Sequence, residues 1–330
     1  MVLDQETSFA CYSQPGSSDF NLVQGEITTI NASNWPSASG FIISTFYAAG
    51  SYFFLAGDSL DKNPEFTFNG SSCFKSNILT KQHYLELCNS YIEKCQDEIE
   101  KIILSRVKKV TSKHHASTIF HALRKAYPDA FVYLFNSPIT GTWIGASPET
   151  FLKRDHQSFT TMALAGTQTK KATYYWEIKE TNEQGLVTQF IHDQLKSLGI
   201  MAKTNGPYTK EAANIAHLRT DFNFETEVSP QNIIQALHPT PAVCGIPRET
   251  TQTIIQKNEP HDRELYCGFL GPVNFNNQDE LYVNLRCLKL NLEELYLFVG
   301  GGITSESDAE KEWDETEAKA QTLLGVIENL

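Results

Sequence analysis

The feature that most restricts the fold of this chain is a run of three glycines near its end, Gly300-Gly301-Gly302, followed by a carboxylate-rich segment. Three residues without side chains let a loop approach other groups closely, and its N–H groups stay accessible. The next segment is predicted to be a helix on which Glu312, Glu315 and Lys319 share one face, because three and four residues separate them. By itself, such a charged face is more typical of a helix exposed to water than of a binding site.

Length and charge limit the classes of protein to consider. A chain of 330 residues can bury a large core, either as one large α/β unit or as two domains. The net charge of -12 and the lack of a basic stripe argue against a nucleic-acid partner. No apolar run is long enough for a transmembrane helix, and residues 1–4 lack the pattern of a signal peptide. We therefore expect a cytoplasmic protein without a membrane partner.

The cysteines agree with that compartment. The chain has seven of them, and none belongs to a C-x-x-C pair. This pattern disfavours both a disulfide framework and a structural zinc site, so most of the cysteines are expected to be small buried side chains. Cys244 is the best placed to be a nucleophile, but no histidine or other base accompanies it at a recognisable spacing.

Hydrophobic periodicity predicts strands in residues 1–75 and a mixture of helices and strands after them. The predicted helices start near residues 81 and 230 and cover residues 117–127, 175–198 and 250–256, besides the helix after the glycines. The predicted strands are residues 40–46, 51–55, 130–136, 142–154, 158–167, 266–275, 281–290 and 295–299.

A second pair of glutamates, Glu180 and Glu183, lies near the start of the predicted helix 175–198 with the same spacing as Glu312 and Glu315. Two such pairs facing each other would form an all-oxygen site for a hard divalent cation. Mg²⁺ usually keeps several waters and binds only one or two carboxylates directly. The alternative is that both pairs are solvated.

Two strand predictions contain residues that do not suit a strand. Pro148 interrupts the ladder of the strand 142–154 and so aims Glu149 out of the sheet, although a surface position for this glutamate is equally compatible. Arg286 lies in the middle of the apolar strand 281–290. Its charge requires an anionic partner, either a carboxylate of the protein or one of a ligand.

Eight motifs follow one another along the chain from about residue 80 to the end. They are Lys101-Ile102-Ile103-Leu104-Ser105-Arg106, Ser147-Pro148-Glu149, Ala163-Leu164-Ala165-Gly166-Thr167, Lys179-Glu180-x-x-Glu183, His238-Pro239-Thr240-Pro241-Ala242, Arg263-x-x-Tyr266-x-Gly268, Leu285-Arg286-Cys287, and the glycine run with Glu312-x-x-Glu315-x-x-x-Lys319. This set resembles the motifs of the chorismate-utilising enzymes, a family that includes isochorismate, salicylate, anthranilate and aminodeoxychorismate synthases. Residues 1–75 are similar to that family only in being strand-rich.

The resemblance implies a fold and a reaction. The fold is a single α/β domain of α+β type, residues 1–330, with large, mainly antiparallel sheets flanked by helices. The reaction is a Mg²⁺-dependent rearrangement of chorismate, in which Lys101 is the general base that activates water and Glu149 is the general acid. Water attacks C2 of the ring while the C4 hydroxyl leaves.

The resemblance also assigns ligand positions. Glu183 and Glu315 correspond to direct metal ligands, and Glu180 and Glu312 would hold the waters of the metal. The residues that correspond to substrate-binding positions are Leu164, Ala165, Gly166, Thr167, Thr240, Ala242, Tyr266, Arg286, Gly300, Gly301 and Lys319. Of these, Tyr266, Arg286, Lys319 and the glycine N–H groups would hold the enolpyruvyl carboxylate.

Lys101, Leu164 and Ala165 favour water over ammonia as the nucleophile, so the chain resembles the isochorismate synthase branch. Menaquinone biosynthesis is the expected pathway, with siderophore biosynthesis as the alternative. A salicylate synthase, which goes on to eliminate pyruvate, and a non-catalytic member of the family also stay open. The chain departs from the usual pattern at Gln184, where a histidine is common, and at Tyr266, where some members carry phenylalanine. We expect a monomer.

Overall fold

The computed structural model describes residues 2–47, 50–57, 61–70, 76–212 and 214–330. The strands are β1 (Phe9–Ser13), β2 (Asn21–Gln24), β3 (Ile27–Asn31), β4 (Gly40–Ile43), β5 (Ser51–Ala56), β6 (Asp61–Lys62), β7 (Lys101–Thr111), β8 (Phe131–Ser137), β9 (Gly141–Ser147), β10 (Thr150–Asp155), β11 (Ser158–Thr169), β12 (Lys203–Ala212), β13 (Ile215–Glu225), β14 (Gly245–Ile246), β15 (Phe269–Val273), β16 (Gln278–Val283), β17 (Cys287–Asn291) and β18 (Glu294–Ile303). The helices are α1 (Lys81–Lys94), α2 (Ala116–Ala126), α3 (Ile178–Ser197), α4 (Pro230–Leu237), α5 (Arg248–Asn258) and α6 (Ala309–Ile327).

The strands form two nine-stranded sheets. The first has the order β14-β7-β18-β17-β9-β8-β1-β2-β6, and the second has the order β12-β13-β11-β10-β16-β15-β4-β5-β3. Neighbouring strands in both sheets are antiparallel. This confirms the predicted fold class, an α+β arrangement of mainly antiparallel sheets with helices around them.

The first sheet is buried on both faces. Because successive side chains of a strand point to opposite faces, Tyr133 and Phe135 of β8 join the core shared with the second sheet, whereas Val132 and Leu134 join a second core. That second core is completed by apolar residues of α2 and α6. Helix α6 therefore packs directly on the first sheet, and its polar side is free to contribute to a site.

The chain passes from one sheet to the other several times, and two of these crossings, called here the first and the second, correct the strand predictions. Residues 142–154 form two strands, β9 in the first sheet and β10 in the second, and Pro148 and Glu149 lie at the crossing. Residues 281–290 likewise divide into β16 and β17, so Arg286 lies between strands, with φ of 47°, and not inside one. The alternation of apolar and polar residues predicts a strand, but it does not show where the chain leaves one sheet and enters the other.

The two crossings hold each other in place. The N–H of Val283 donates to the carbonyl oxygen of Glu149 at 3.0 Å, and the Ser147 hydroxyl donates to the carbonyl oxygen of Val283 at 2.6 Å. The N–H of Ala146 donates to the carbonyl oxygen of Arg286 at 3.0 Å. The crossing segments therefore bring Glu149 and Arg286 to the same part of the molecule.

The glycine run is also not the predicted loop. Gly300, Gly301 and Gly302 continue β18 and pair with Ser105, Leu104 and Ile103 of β7. Strand β17 pairs with β18 only as far as Phe298, so past that residue no strand of the described ranges lies along this edge of β18. The backbone of the three glycines is thus accessible along a strand edge and not, as predicted, in a loop.

All six predicted helices are present, and the periodicity of their apolar residues explains that success. The hairpin of β12 and β13 was not predicted. The strand predicted for residues 266–275 is shorter and begins at Phe269. Six cysteines are free and buried, as expected, while Cys73 lies outside the described residues. Among the helices of the described chain, none combines the length and apolar character that crossing a membrane requires.

Candidate active site

The site begins at Lys101, the first residue of β7, whose side chain is fully buried. Its Nζ atom lies 2.8 Å from Oε1 of Glu183, near the start of α3. Gly302 makes room for this ion pair, because a Cβ atom there would lie 2.5 Å from the Glu183 oxygen and 2.7 Å from Cε of Lys101. No described residue makes a hydrogen bond of good geometry with the ammonium, which therefore keeps donors for a ligand or water.

Glu149 is held at the first sheet crossing and is only 3% exposed. Its N–H donates to the Ser147 hydroxyl at 3.3 Å. Burial raises the pKa of its carboxyl to about 8, although the nearby charges of Lys101 and Arg286 oppose this shift. Near neutral pH this carboxyl is therefore protonated and able to donate its proton.

Helix α6 brings two more glutamates to the glycine strand. A Cβ atom on Gly301 would lie 3.2 Å from Oε2 of Glu312 and 3.7 Å from Oε1 of Glu315. Lys179 of α3 contacts Glu312 at 2.6 Å, and Lys319 contacts Glu315 at 2.6 Å. With the pair at the start of β7, three ammonium–carboxylate pairs gather beside this strand.

The two glutamates of α6 differ in their proton affinity. Burial and the negative charge of Glu315 raise the pKa of Glu312, although Lys179 opposes the shift. Burial also acts on Glu315, but the contact with Lys319 outweighs it, so the pKa of Glu315 is lowered. Negative charge is therefore held most firmly at Glu315.

Glu180 serves a local role as well. Its Oε2 atom accepts the N–H of Glu177 at 3.1 Å as part of a capping box at the start of α3. Its Cβ atom packs against Gly166, where an added Cβ would lie 3.1 Å away. Because one oxygen caps the helix, only the other is left for the water-mediated metal contact that the resemblance implies.

The residue types fit a hard divalent cation. Carboxylate oxygens are ligands that Mg²⁺ prefers, and the ion commonly retains water in its remaining positions. Within the described ranges, no group of three His, Cys, Asp or Glu side chains is arranged to hold one ion, and lysines contact Glu183, Glu312 and Glu315 instead. The donor set thus suits an ion that takes one or two carboxylates, with Glu183 and Glu315 as the predicted ligands.

A cationic group lies at the second sheet crossing. The Nη2 atom of Arg286 lies 3.3 Å from Nε2 of His217, and Nδ1 of His217 lies 2.9 Å from the carbonyl oxygen of Gly166. Because a carbonyl oxygen only accepts, Nδ1 carries the proton and Nε2 accepts from Arg286. Burial and the positive charges of Arg286 and Lys319 lower the pKa of His217 to about 3, so the ring is neutral.

Tyr266 and Lys319 meet at Gly300. The ammonium of Lys319 donates to the carbonyl oxygen of Gly300 at 2.9 Å, and the Tyr266 hydroxyl lies 3.1 Å from the position of a Cβ atom on this glycine. Together with Arg286, these residues supply positive charge and hydrogen-bond donors, which suit a carboxylate ligand.

These groups line a small cleft with a cavity volume of about 60 Å³. The predicted residues that line it are Glu149, Leu164, Ala165, Thr167, Glu183, Ala242, Tyr266, Arg286, Gly300, Gly301 and Lys319. Lys101, Gly166, Glu312 and Glu315 lie behind this lining, in the contacts described above. Thr240 is buried, and its hydroxyl has no hydrogen-bond partner in the described chain.

The sequence did not point to His217 or to Cys267, which also line the cleft. His217 belongs to β13, which was not predicted, and it is separated from Arg286 by 69 residues. Nothing in the sequence around a single histidine, in a segment without a predicted element, marks it as a site residue. Its role becomes visible only when β13 is seen beside β11, with His217 near Gly166.

The chain matches the family model for chorismate binding enzyme over residues 56–328. Isochorismate synthase EntC of Escherichia coli (strain K12) is 29% identical over 245 residues, which are 70% of this chain and 63% of EntC. This chain thus spans less than two thirds of that relative.

Two solved structures share the fold. The DhbC protein of Bacillus anthracis is 25% identical with a TM-score of 0.80, covering 98% of this chain and 97% of that one. The menaquinone-specific isochorismate synthase MenF of Escherichia coli is 20% identical with a TM-score of 0.83, covering 98% of this chain and 89% of that one. The family match over most of the sequence shows that this chain belongs to the chorismate-binding enzymes.

Proposed function

We propose that this protein is an isochorismate synthase, an isomerase that converts chorismate to isochorismate with Mg²⁺. The observation that supports this most is that the protonated, buried Glu149 lines the same cleft as Glu183, the partner of the buried Lys101. A proton donor and a basic side chain at one cleft are what a paired gain and loss of water requires. The similarity to isochorismate synthases agrees with this proposal.

In the proposed reaction Lys101 is the general base toward the water that attacks C2 of the ring. Glu149 donates its proton to the C4 hydroxyl, which leaves as water while the ring double bonds shift. One water enters and one leaves, so substrate and product are isomers. Near neutral pH Glu149 holds the required proton, because burial raises the pKa of its carboxyl to about 8.

The other residues bind and orient the substrate. Arg286, with Lys319 and Tyr266, would hold the enolpyruvyl carboxylate through charge-assisted hydrogen bonds. Glu183 and Glu315 would hold Mg²⁺ directly, and Glu180 and Glu312 would hold it through its waters. When bound, the ion would neutralise the ring carboxylate of the substrate. Leu164 and Ala165 would contact the ring.

Purified protein incubated with chorismate and Mg²⁺ tests the proposal. We expect isochorismate as the product, separated by liquid chromatography, with no release of pyruvate. Pyruvate that accumulates in step with turnover would identify a salicylate synthase instead. Binding of chorismate without turnover would identify a non-catalytic member of the family.

We further propose that the isochorismate enters menaquinone biosynthesis. MenF, whose fold this chain shares, is a menaquinone-specific isochorismate synthase. Siderophore biosynthesis is the alternative pathway to exclude. Deletion of the gene should lower cellular menaquinone while siderophore secretion is unchanged. The monomeric state and cytoplasmic location stay predictions, and sedimentation velocity and cell fractionation measure them.

A further inference from the structure

The two edges of β7, the strand that begins with Lys101, differ in their hydrogen-bond partners. Along one edge β7 pairs with β18 from Ile102 to Thr111. Along the other edge β14 is only two residues long and pairs with Lys101 and Ile102. Beyond that point the outward backbone groups of Ile103 and Ser105 need other partners, since buried backbone groups are rarely left unpaired.

The side chains of Arg263 and Glu259 supply most of those partners. Nη2 of Arg263 donates to the carbonyl oxygen of Ile103 at 3.0 Å, and Oε1 of Glu259 accepts the N–H of Ser105 at 2.7 Å. The carbonyl oxygen of Cys244 accepts the remaining N–H, that of Ile103, at 2.8 Å. The two side chains act at residues two apart, as the backbone of a neighbouring antiparallel strand would. They substitute for the strand that β14 is too short to provide.

This side-chain pair is rigid. Nε and Nη2 of Arg263 donate to the two oxygens of Glu259 at 2.7 and 2.6 Å, which is a two-point contact between planar groups. Both residues are buried, and the ring of Phe46 lies 4.3 Å from the guanidinium. Burial would raise the pKa of Glu259, but the contact with Arg263 outweighs it and lowers the pKa, so the pair is charged.

The pair also contacts two other walls of the cleft. Nη1 of Arg263 donates to the carbonyl oxygen of Val243, which follows Ala242 in the lining, at 2.8 Å. The carbonyl oxygen of Arg263 accepts the N–H of Tyr266 at 2.7 Å. The Arg263 side chain therefore connects β7 with the 242–243 segment, and the main chain of the same residue holds Tyr266.

We propose that Glu259 and Arg263 are positioning residues, which hold β7 in place of a neighbouring strand and so fix Lys101 against Glu183 at the cleft wall. Ile103 and Ser105 point to the same face of β7 as Lys101, because side chains alternate along a strand. A shift of the backbone at these residues would therefore move the lysine as well. The catalytic consequence of this positioning rests on the proposed isochorismate synthase activity. The hydrogen bonds that hold β7 are present without substrate.

The chain offers a matched control in a second buried pair. Asp279 contacts Arg154 at 2.6 Å and accepts the N–H of Asn274 at 2.8 Å, so it has the same partners as Glu259, an arginine and a backbone N–H. Asp279 is 2% exposed and belongs to β16, outside the lining of the cleft. Asp279→Asn and Glu259→Gln therefore both replace a buried carboxylate with the corresponding amide. Only Glu259→Gln does so beside β7.

The kinetic test compares these two variants at a temperature at which both are folded. We expect Glu259→Gln to lower kcat by about 100-fold, because small displacements of reacting groups have effects of this size. Its KM for chorismate should stay within about threefold of the wild-type value, since the displaced group is not a substrate ligand. Asp279→Asn should keep both constants within about threefold. Equal losses of kcat in the two variants, or a rise in KM with unchanged kcat, would overturn the proposal.

A second test needs no turnover and uses Arg263→Lys, which keeps the charge beside Glu259 but cannot reach three acceptors in the same geometry. Hydrogen exchange measured by mass spectrometry should be at least about tenfold faster for residues 102–106 in this variant and unchanged in Asp279→Asn. Exchange at the wild-type rate in residues 102–106 would contradict the positioning role. A wild-type protein that forms no isochorismate contradicts only the proposed function.

Discussion

Glu149 and Glu315 belong to the same cleft region, yet they are held in opposite charge states. Glu149 lies at a sheet crossing, where burial raises the pKa of its carboxyl to about 8. Glu315 lies on α6 with the ammonium of Lys319 at 2.6 Å, and its pKa is lowered despite burial. At Glu315 the contact with Lys319 outweighs burial, whereas at Glu149 the nearby charges of Lys101 and Arg286 do not.

This comparison divides the cleft into two regions with different chemistry. The region at the sheet crossings holds a neutral acid, which suits proton donation. The region between α3 and α6 holds carboxylates paired with lysines, and these carboxylates would be the ligands of the proposed divalent cation. Lys101 lies between the two regions, because it contacts Glu183 of α3 and its charge acts on Glu149.

The largest effect is expected for Lys101→Ala, which removes the group common to both regions. We expect kcat to fall by roughly 1,000-fold, because loss of a general base typically has an effect of this order. The rate of isochorismate formation measures the loss. Lys108→Ala is the control, since Lys108 lies on the same strand and pairs with Glu317 of α6 at 2.5 Å. Wild-type turnover in Lys101→Ala would show that the lysine is not the base.

A smaller effect is expected for Glu149→Gln, which removes the proton donor while keeping the shape of the side chain. We expect kcat to fall by about 100-fold. Wild-type turnover should decrease as the pH rises through about 8, the value at which Glu149 loses its proton. The pH–rate profile of the variant should lack that step. Persistence of the step in the variant would assign it to another group.

The same carboxyl makes folding stability depend on pH. The pKa of Glu149 is raised from 4.5 to about 8 in the folded state, so the folded state binds more protons between these values. Its contribution to the free energy of unfolding is complete below about pH 4.5 and is lost as the pH rises through about 8. Denaturant titrations of wild type and Glu149→Gln across this range should differ most at the alkaline end.

The smallest effect on turnover is expected for Glu315→Gln at saturating Mg²⁺. We expect the Mg²⁺ concentration for half-maximal activity to rise by roughly tenfold, because one charged ligand is replaced by a neutral one. Glu317→Gln is the control on the same helix, since Glu317 pairs with Lys108 and Arg106 and not with the metal region. Full wild-type activity in excess chelator would show that these glutamates do not bind a required ion.

Much of the secondary structure follows from local patterns. The helices were predictable because apolar residues at three- and four-residue spacing mark a buried stripe, as Tyr84, Cys88 and Tyr91 do on α1. The crossings at Pro148 and at Arg286 were not predictable from local patterns. A strand has the same alternation of apolar and polar residues whichever sheet it joins. The glycine run was predicted as a loop, since the pairing of β18 with the distant β7 leaves no trace in local sequence.

The sequence by itself determined the types of side chain in the site and the helical spacing of Glu180 with Glu183 and of Glu312 with Glu315. Only the tertiary structure decided their charge states and neighbours. Glu149 is an acid because two crossings bury it, and Glu315 is an anion because Lys319 touches it. The contact of His217 with Arg286 likewise joins residues 69 positions apart. Burial and charge contacts depend on distances in space, and a linear pattern contains only distances along the chain.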